Sequence, residues 1–231
     1  MMNSECGGAV IEMTTRRVSS NISQSLRALS ADVERGVSLS ESPDVVVRPI
    51  ENDDELDEVY RITHDAYVER GYCAPQPDGR LIHYPRHDGI PETIVLVAER
   101  NGRIVGTNSL TLDGSKGLPV DEDFGRDCKR IRATGRRLAA SWRIATRKDC
   151  REERNIVMGL IRETLRLCLL KGVETCLFTF NPRHERIYQK LLNMKTVARS
   201  EGTAGLENAP AVLMRCDFEN LPAWCLEMVE V

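Results

Sequence analysis

The chain has 231 residues, 41% hydrophobic and 29% charged, with a net charge of −3. These values describe a soluble globular protein with one domain and an appendage, or two small domains. They exclude a transmembrane segment, because no apolar run approaches the roughly 18–20 residues a span needs.

At the N-terminus Ala9-Val10-Ile11 stops at Glu12, which leaves no secretory signal and makes the cytoplasm the expected location. The eight cysteines (Cys6, Cys73, Cys128, Cys150, Cys168, Cys176, Cys216 and Cys225) form no C-x-x-C pair. No His stands at zinc-ligand spacing from them, so the expected state is reduced thiols without a metal.

Residues 1–42 contain nine Ser and no aromatic residue, the composition of a flexible extension. Within it Val18, Ile22, Leu26, Leu29 and Val33 fall near helical period and predict an amphipathic helix. The main domain spans residues 43–231. Val45-Val46-Val47 reads as a strand closed by Pro49. Asn52 or Asp53 caps a helix whose Leu56, Val59, Tyr60, Thr63, Ala66 and Tyr67 share one face. Residues 72–91 carry four Pro and read as a loop.

Ile94–Ala98 and Arg103–Leu112 read as two strands of a hairpin joined by Asn101-Gly102, since both residues tolerate the positive φ of a type I′ turn. Asp121–Ile131 follows as a short helix with Phe124, Cys128 and Ile131 inward. Arg137–Thr146 is a strand. Glu152–Leu170 has a clear apolar face and stops at Lys171-Gly172. Strands at Val173–Phe180, Lys195–Arg199 and Ala211–Phe218, with a helix near His184–Leu192, complete an α/β chain of the α+β type. The early hairpin argues against a doubly wound parallel sheet.

Chemistry concentrates at Asn181-Pro182-Arg183-His184-Glu185-Arg186-Ile187-Tyr188-Gln189-Lys190-Leu191-Leu192. An Asn at a strand end and a phenol further along the following helix can face one cleft. That pairing suits holding an amide-bearing arm and protonating a leaving thiolate. Packing for Tyr188, and helix capping for Asn181, are the alternatives at this stage.

A second feature is charge. Residues 126–154 hold eleven Lys or Arg against four Asp or Glu, inside an acidic protein. This predicts either a solvated basic face or a docking surface for an acidic macromolecule. Trp142 is the only aromatic between Phe124 and Phe178, so the segment lacks the interleaving expected of a nucleic-acid site.

The Asn181-to-Leu192 run resembles the acyl-thioester site of the GNAT N-acyltransferase superfamily. Five pieces in order resemble one branch, the bacterial N-acyl amino acid synthases, relatives of the acyl-homoserine lactone synthases. They are Val105-Gly106-Thr107 with Ser109-Leu110-Thr111; Gly117-Leu118-Pro119 with Asp121; Ile131-Arg132 with Gly135-Arg136-Arg137-Leu138-Ala139; Asn181-Pro182-Arg183-His184 with Tyr188; and Ala209-Pro210-Ala211-Val212-Leu213.

The resemblance implies a mixed, mostly antiparallel sheet flanked by helices. It implies transfer of a long acyl chain from an acyl carrier protein to an amino acid or similar amine. It makes Tyr188 and His184 catalytic candidates, with an oxyanion donor from the backbone of a bulge within Trp142, Arg143, Ile144 and Ala145. Asn181, Arg183, Ile144 and Ala145 become substrate-binding candidates.

Two departures stand out. Where the family carries an acidic residue this chain has Ala140, leaving Glu92 and Glu99, which bracket a strand, as substitutes for the missing carboxylate; His83 and His87, flanking Tyr84-Pro85 in the loop, are further catalytic candidates. Where the family has Gly-Phe it has Asn193-Met194. Coenzyme A-using relatives place a glycine-rich loop before the central helix, to bring backbone N–H groups to a pyrophosphate. Here Arg154 and Ile156 occupy the glycine positions. An acyl carrier protein bearing a phosphopantetheine thioester is therefore the expected donor in place of coenzyme A. Arg147, Lys148, Arg151 and Arg154 would meet its acidic surface, and no permanently bound cofactor is expected. A coenzyme A-dependent N-acetyltransferase and a catalytically idle GNAT-fold binding module are the competing readings.

Overall fold

The computed structural model describes residues 44–150, 154–204, 206 and 209–228. The N-terminal extension and its expected helix lie outside them. The elements run β1 (Val46–Pro49), α1 (Asp53–Glu69), β2 (Thr93–Arg100), β3 (Arg103–Leu112), α2 (Asp121–Arg132), β4 (Leu138–Thr146) and α3 (Arg154–Leu170). They continue with β5 (Thr175–Phe180), α4 (Glu185–Leu192), β6 (Lys195–Ser200), β7 (Ala211–Asp217) and α5 (Ala223–Met228).

Local chemistry sets the element ends. The Asn52 side chain accepts from the Glu55 N–H at 3.0 Å, and Asp53, Asp54 and Glu55 place negative charge at the positive end of α1. Asn101 and Gly102 both adopt positive φ and turn β2 into β3. At the end of α3, Gly172 N–H donates to the Leu169 carbonyl and Val173 N–H to that of Cys168. These two bonds form a Schellman stop, with Gly172 in left-handed geometry at φ +65.

The seven strands lie in the order β1-β2-β3-β4-β5-β7-β6. All neighbours are antiparallel except β4 and β5. Alternation with period two sends successive side chains to opposite layers. On one face Leu96, Ala139, Cys176, Phe178, Val212 and Met214 pack against α3, α4 and α5. On the other, Val95 and Val97 meet Val59 of α1, while Leu138, Ala140, Leu177, Ala211 and Leu213 meet Phe124, Cys128 and Ile131 of α2. Cys128, Cys168, Cys176, Cys216 and Cys225 are fully buried and serve as small core residues.

α3 sits directly on β3. A Cβ at Gly106 would come within 2.9 Å of Ile156 Cγ2, 3.2 Å of the Ala145 carbonyl and 3.3 Å of Leu160 Cδ1. Gly106→Val should therefore destabilise the protein by about 1–3 kcal/mol, the range for overpacking a filled core. Urea unfolding checks this, and an unchanged midpoint would mean that α3 can slide outward freely.

Two elements differ from the sequence reading. The short helix α5 was not anticipated. Helix α1 is buried on more than one face, because Ile62 and His64 are covered as well as Val59, Tyr60, Thr63 and Ala66. The 72–91 loop supplies the cover: Gln76 N–H donates to His64 Nε2 at 2.9 Å, and Leu81 N–H to the Tyr60 carbonyl at 3.2 Å.

Candidate active site

The parallel pair β4 and β5 is joined only from Leu138–Thr175 to Ser141–Phe178. Both strands continue, to Thr146 and Phe180, but no longer pair. A wedge opens between them. The cause lies on the other edge of β4. Thr107 faces Ala145 and Ser109 faces Trp142, so two steps along β3 match three along β4. The extra residue is a β-bulge, and Arg143 within it has φ 61. A bulge bends its strand and raises local twist, which carries β4 away from β5. The family resemblance implies a bulge within Trp142–Ala145, and the register shift lies there.

The bulge also turns the Arg143 side chain into a fully enclosed site. Its guanidinium meets Asp88 through Nη1–Oδ2 at 3.0 Å and Nη2–Oδ1 at 2.9 Å. Nε and Nη2 donate to Ser109 Oγ at 3.1 and 2.8 Å, and the group lies 4.5 Å from the Trp142 ring centroid. Trp142 Nε1 donates to Thr111 Oγ1 at 3.0 Å. Trp142 and Arg143 are thus locked side chains, and any oxyanion contact from this stretch belongs to its backbone.

Two neighbouring cavities that share part of their walls lie at the wedge. The outer one encloses about 860 Å³, counting space open to solvent at its mouth. Ile144, Ala145, Asn181, His184 and Tyr188 line it, together with Tyr67, Arg70, Tyr72 and residues of the 203–211 segment. The inner one, about 570 Å³ on the same measure, runs beneath the sheet between Ile161 and Leu165 of α3, Phe178, and Leu192. Three of its polar members satisfy one another: Asn108 Nδ2 donates to Ser141 Oγ at 2.9 Å and to Thr164 Oγ1 at 2.8 Å. An apolar guest would leave those hydrogen bonds intact.

Tyr188 lines both cavities, with its ring stacked on Phe180 at 3.8 Å. Burial pushes its phenol well above the ordinary range, so it stays protonated. Asn181 both caps and lines: its Oδ1 accepts from Arg183 N–H at 3.2 Å while the residue borders the outer cavity. Arg183 lines neither cavity. Its Nε donates to Asn181 Oδ1 at 2.9 Å and its Nη2 to the Tyr72 hydroxyl at 2.7 Å, so it braces the rim.

The basic residues divide. Arg147 donates from Nε to the Ile104 carbonyl at 2.7 Å and pairs with Glu58 of α1. Lys148 is 80% exposed, with Nζ 3.5 Å from Glu69. Arg151 and the Arg154 side chain lie outside the described residues. Ile156, at one of the expected glycine positions, is a fully buried core residue.

Ala140 is fully buried among Leu118, Val120, Phe124 and Leu177 and lines neither cavity. Of the substitutes for a carboxylate, Glu99 pairs with Arg48 at 2.7 Å, and neither it nor Glu92 reaches a cavity. His87 is buried but lines neither cavity, whereas His83 lines both.

The imidazoles of His83 and His184 both have their pKa pushed down to about 4, in each case by burial first and then by arginine charge. For His83 that charge is Arg143, and for His184 Arg183 and Arg70. Below their ordinary value of 6.5 the unfolded chain binds protons that the folded chain refuses. Stability is therefore complete above pH 6.5 and falls as pH drops from there toward 4. Urea midpoints measured across that window should decline, and less steeply in His83→Gln. Equal slopes would show that His83 is charged in the folded protein.

Sequence reading did not find Tyr67, Arg70, Tyr72 or the 203–211 segment. The one available signal was the length of the 72–91 loop, since long loops inside compact domains tend to be functional.

The family model described as N-acyl amino acid synthase FeeM matches residues 58–217. A search of curated protein sequences found no match. Among solved structures the chain is similar to FeeM, an N-acyl amino acid synthase from uncultured soil microbes. The TM-score is 0.66 at 22% identity, over 79% of this chain and 94% of that one. It is similar to BjaI, a coenzyme A-dependent acyl-homoserine lactone synthase, with TM-score 0.57 at 19% identity over 80% and 87%. The acyl-homoserine lactone synthase LasI gives 0.56 at 14% identity over 81% and 97%. These likenesses are likenesses of fold, and the family match covers more than half of the chain. The protein is an N-acyltransferase and belongs to the N-acyl amino acid synthase FeeM family.

Proposed function

We propose that this N-acyltransferase moves a long acyl chain from the phosphopantetheine thioester of an acyl carrier protein to the amine of an amino acid. The observation that carries this reading is the pair of neighbouring cavities, sharing part of their walls, at the β4–β5 wedge. Beyond Ser141 the β5-facing edge of β4 has no strand partner. An amide-bearing pantetheine arm can lie along it as an added strand. Asn181 stands beside that path. The apolar inner cavity gives the acyl chain a dry site, and Tyr188 lies where the two spaces meet.

The buried Ile156 supports a carrier-bound donor. A core side chain occupies a position where coenzyme A-using relatives hold glycine. Exposed Lys148 is available to an acidic carrier surface, while Arg147 belongs to the fold. An amino acid acceptor follows the family description, and cationic Arg70 borders the outer cavity that would receive its carboxylate.

The test incubates the protein with the twenty amino acids and either acyl carrier protein or coenzyme A, each loaded with octanoyl to octadecanoyl chains. Mass spectrometry reads the products. Acyl amino acids formed faster from the carrier protein support the reading. Product from coenzyme A alone would replace the donor, and acylation of a different amine would replace the acceptor.

A further inference from the structure

We propose that His83, whose ring lines both cavities beside the β4 bulge, accepts the proton that the acceptor amine loses as the amide bond forms. The proposal rests on the acyl transfer described above and assigns the group that replaces the absent carboxylate.

No Asp or Glu lines either cavity among the described residues. The bases available there are His83 and His184, and only His83 reaches the inner space as well as the outer one. Both of its ring nitrogens are shielded from solvent, and neither makes a well-formed hydrogen bond within the described residues. The Ala204 backbone lies close enough to favour the charged ring, against the larger effect of burial. Buried polar atoms are nearly always paired, so an unpaired imidazole at a cavity wall points to a guest.

The ring is held on several sides. It lies 4.0 Å from the Tyr84 ring, with Tyr67 and Trp142 edge-on at 5.5 and 6.5 Å. The loop is pinned after it by Asp88 on Arg143, and through the Tyr84 hydroxyl to Asp123 of α2 at 3.1 Å. Such anchoring fixes a base to within the tolerance that proton transfer needs.

The chemistry balances. The amine loses one proton to solvent on binding, which the nearby Arg143 charge favours. Its lone pair attacks the thioester carbonyl carbon, forming the C–N bond and moving the carbonyl π pair onto oxygen. Nitrogen is then positively charged and a far stronger acid than a free ammonium. A weakly basic imidazole can take that proton. The C–S bond breaks, the thiolate receives a proton from Tyr188, and His83 and Tyr188 return to their starting states through solvent. The neutral imidazole enforced by burial is the form the step requires.

The experiment compares wild type, His83→Gln and His83→Gly, using the carrier-bound acyl donors and the amino acid mixture above. His83→Gln should lower kcat about 10²–10⁴-fold, the usual worth of a positioned base, with KM within threefold. Added imidazole should restore part of the rate in His83→Gly. A kcat within threefold of wild type in His83→Gln overturns the proposal and leaves the acyltransferase standing. A second readout needs no turnover. In histidine ¹⁵N-labelled protein, the His83 ring signals, assigned by their loss in His83→Gln, should shift on saturation with acyl carrier donor and amino acids. Unmoved signals also overturn the proposal.

Discussion

Asp88→Ala should destabilise the protein by about 3–5 kcal/mol, the cost of leaving one member of a buried ion pair alone. The Arg143 side chain is fully buried and that of Asp88 is 7% exposed. Without Asp88 the guanidinium keeps only Ser109 Oγ and two aromatic faces. Nothing near it among the described residues offers a replacement charge at comparable distance. The same change removes one of the anchors of the 72–91 loop, beside Tyr84 on Asp123, so activity should fall with stability. Urea unfolding gives the first quantity. A loss below about 1 kcal/mol would mean that water reaches Arg143 once the loop is free.

Tyr188→Phe should leave the fold intact and reduce kcat by about 10²–10⁴-fold, as expected for loss of a positioned acid. The variant keeps the ring stacked on Phe180 and removes one hydroxyl. Burial holds the phenol protonated well above its usual range, so no alkaline limb in the rate should arise from Tyr188 near neutral pH. Single-turnover kinetics with a preloaded donor measure the step directly. A rate within threefold of wild type would reduce Tyr188 to a packing residue.

Much of this arrangement was legible because it is local. Asn101-Gly102 makes its turn from its own φ preferences, and the period-two strands declare their faces. Asn181 and Tyr188 lie seven residues apart on one strand-turn-helix unit, so their common cavity follows from sequence order. The rest depends on contacts between distant residues. Asp88 meets Arg143 across 55 positions, and Tyr84 meets Asp123 across 39. No periodicity encodes either pairing. Ile62 and His64 lie outside the apolar face that periodicity gives α1, and both are buried, with Gln76 of the 72–91 loop bonded to the His64 ring. Position 140 was treated as the place where a base ought to be. Packing under α2 makes it a core site, where burial would hold a carboxyl group neutral.

The single extra residue in β4 has a consequence for how this protein can be altered. Removing one residue at Arg143–Ile144 would restore unbroken pairing with β3 and let β4 run straight alongside β5. Such a sheet would gain ladder hydrogen bonds and seal its own doorway. The native chain forgoes those bonds over the ends of two central strands, and under the proposed function a bound thioester arm would supply them in their place. Selection for a sturdier sheet and selection for turnover thus pull in opposite directions at one peptide unit, and sequences that drift toward regularity there would persist as folded, silent proteins.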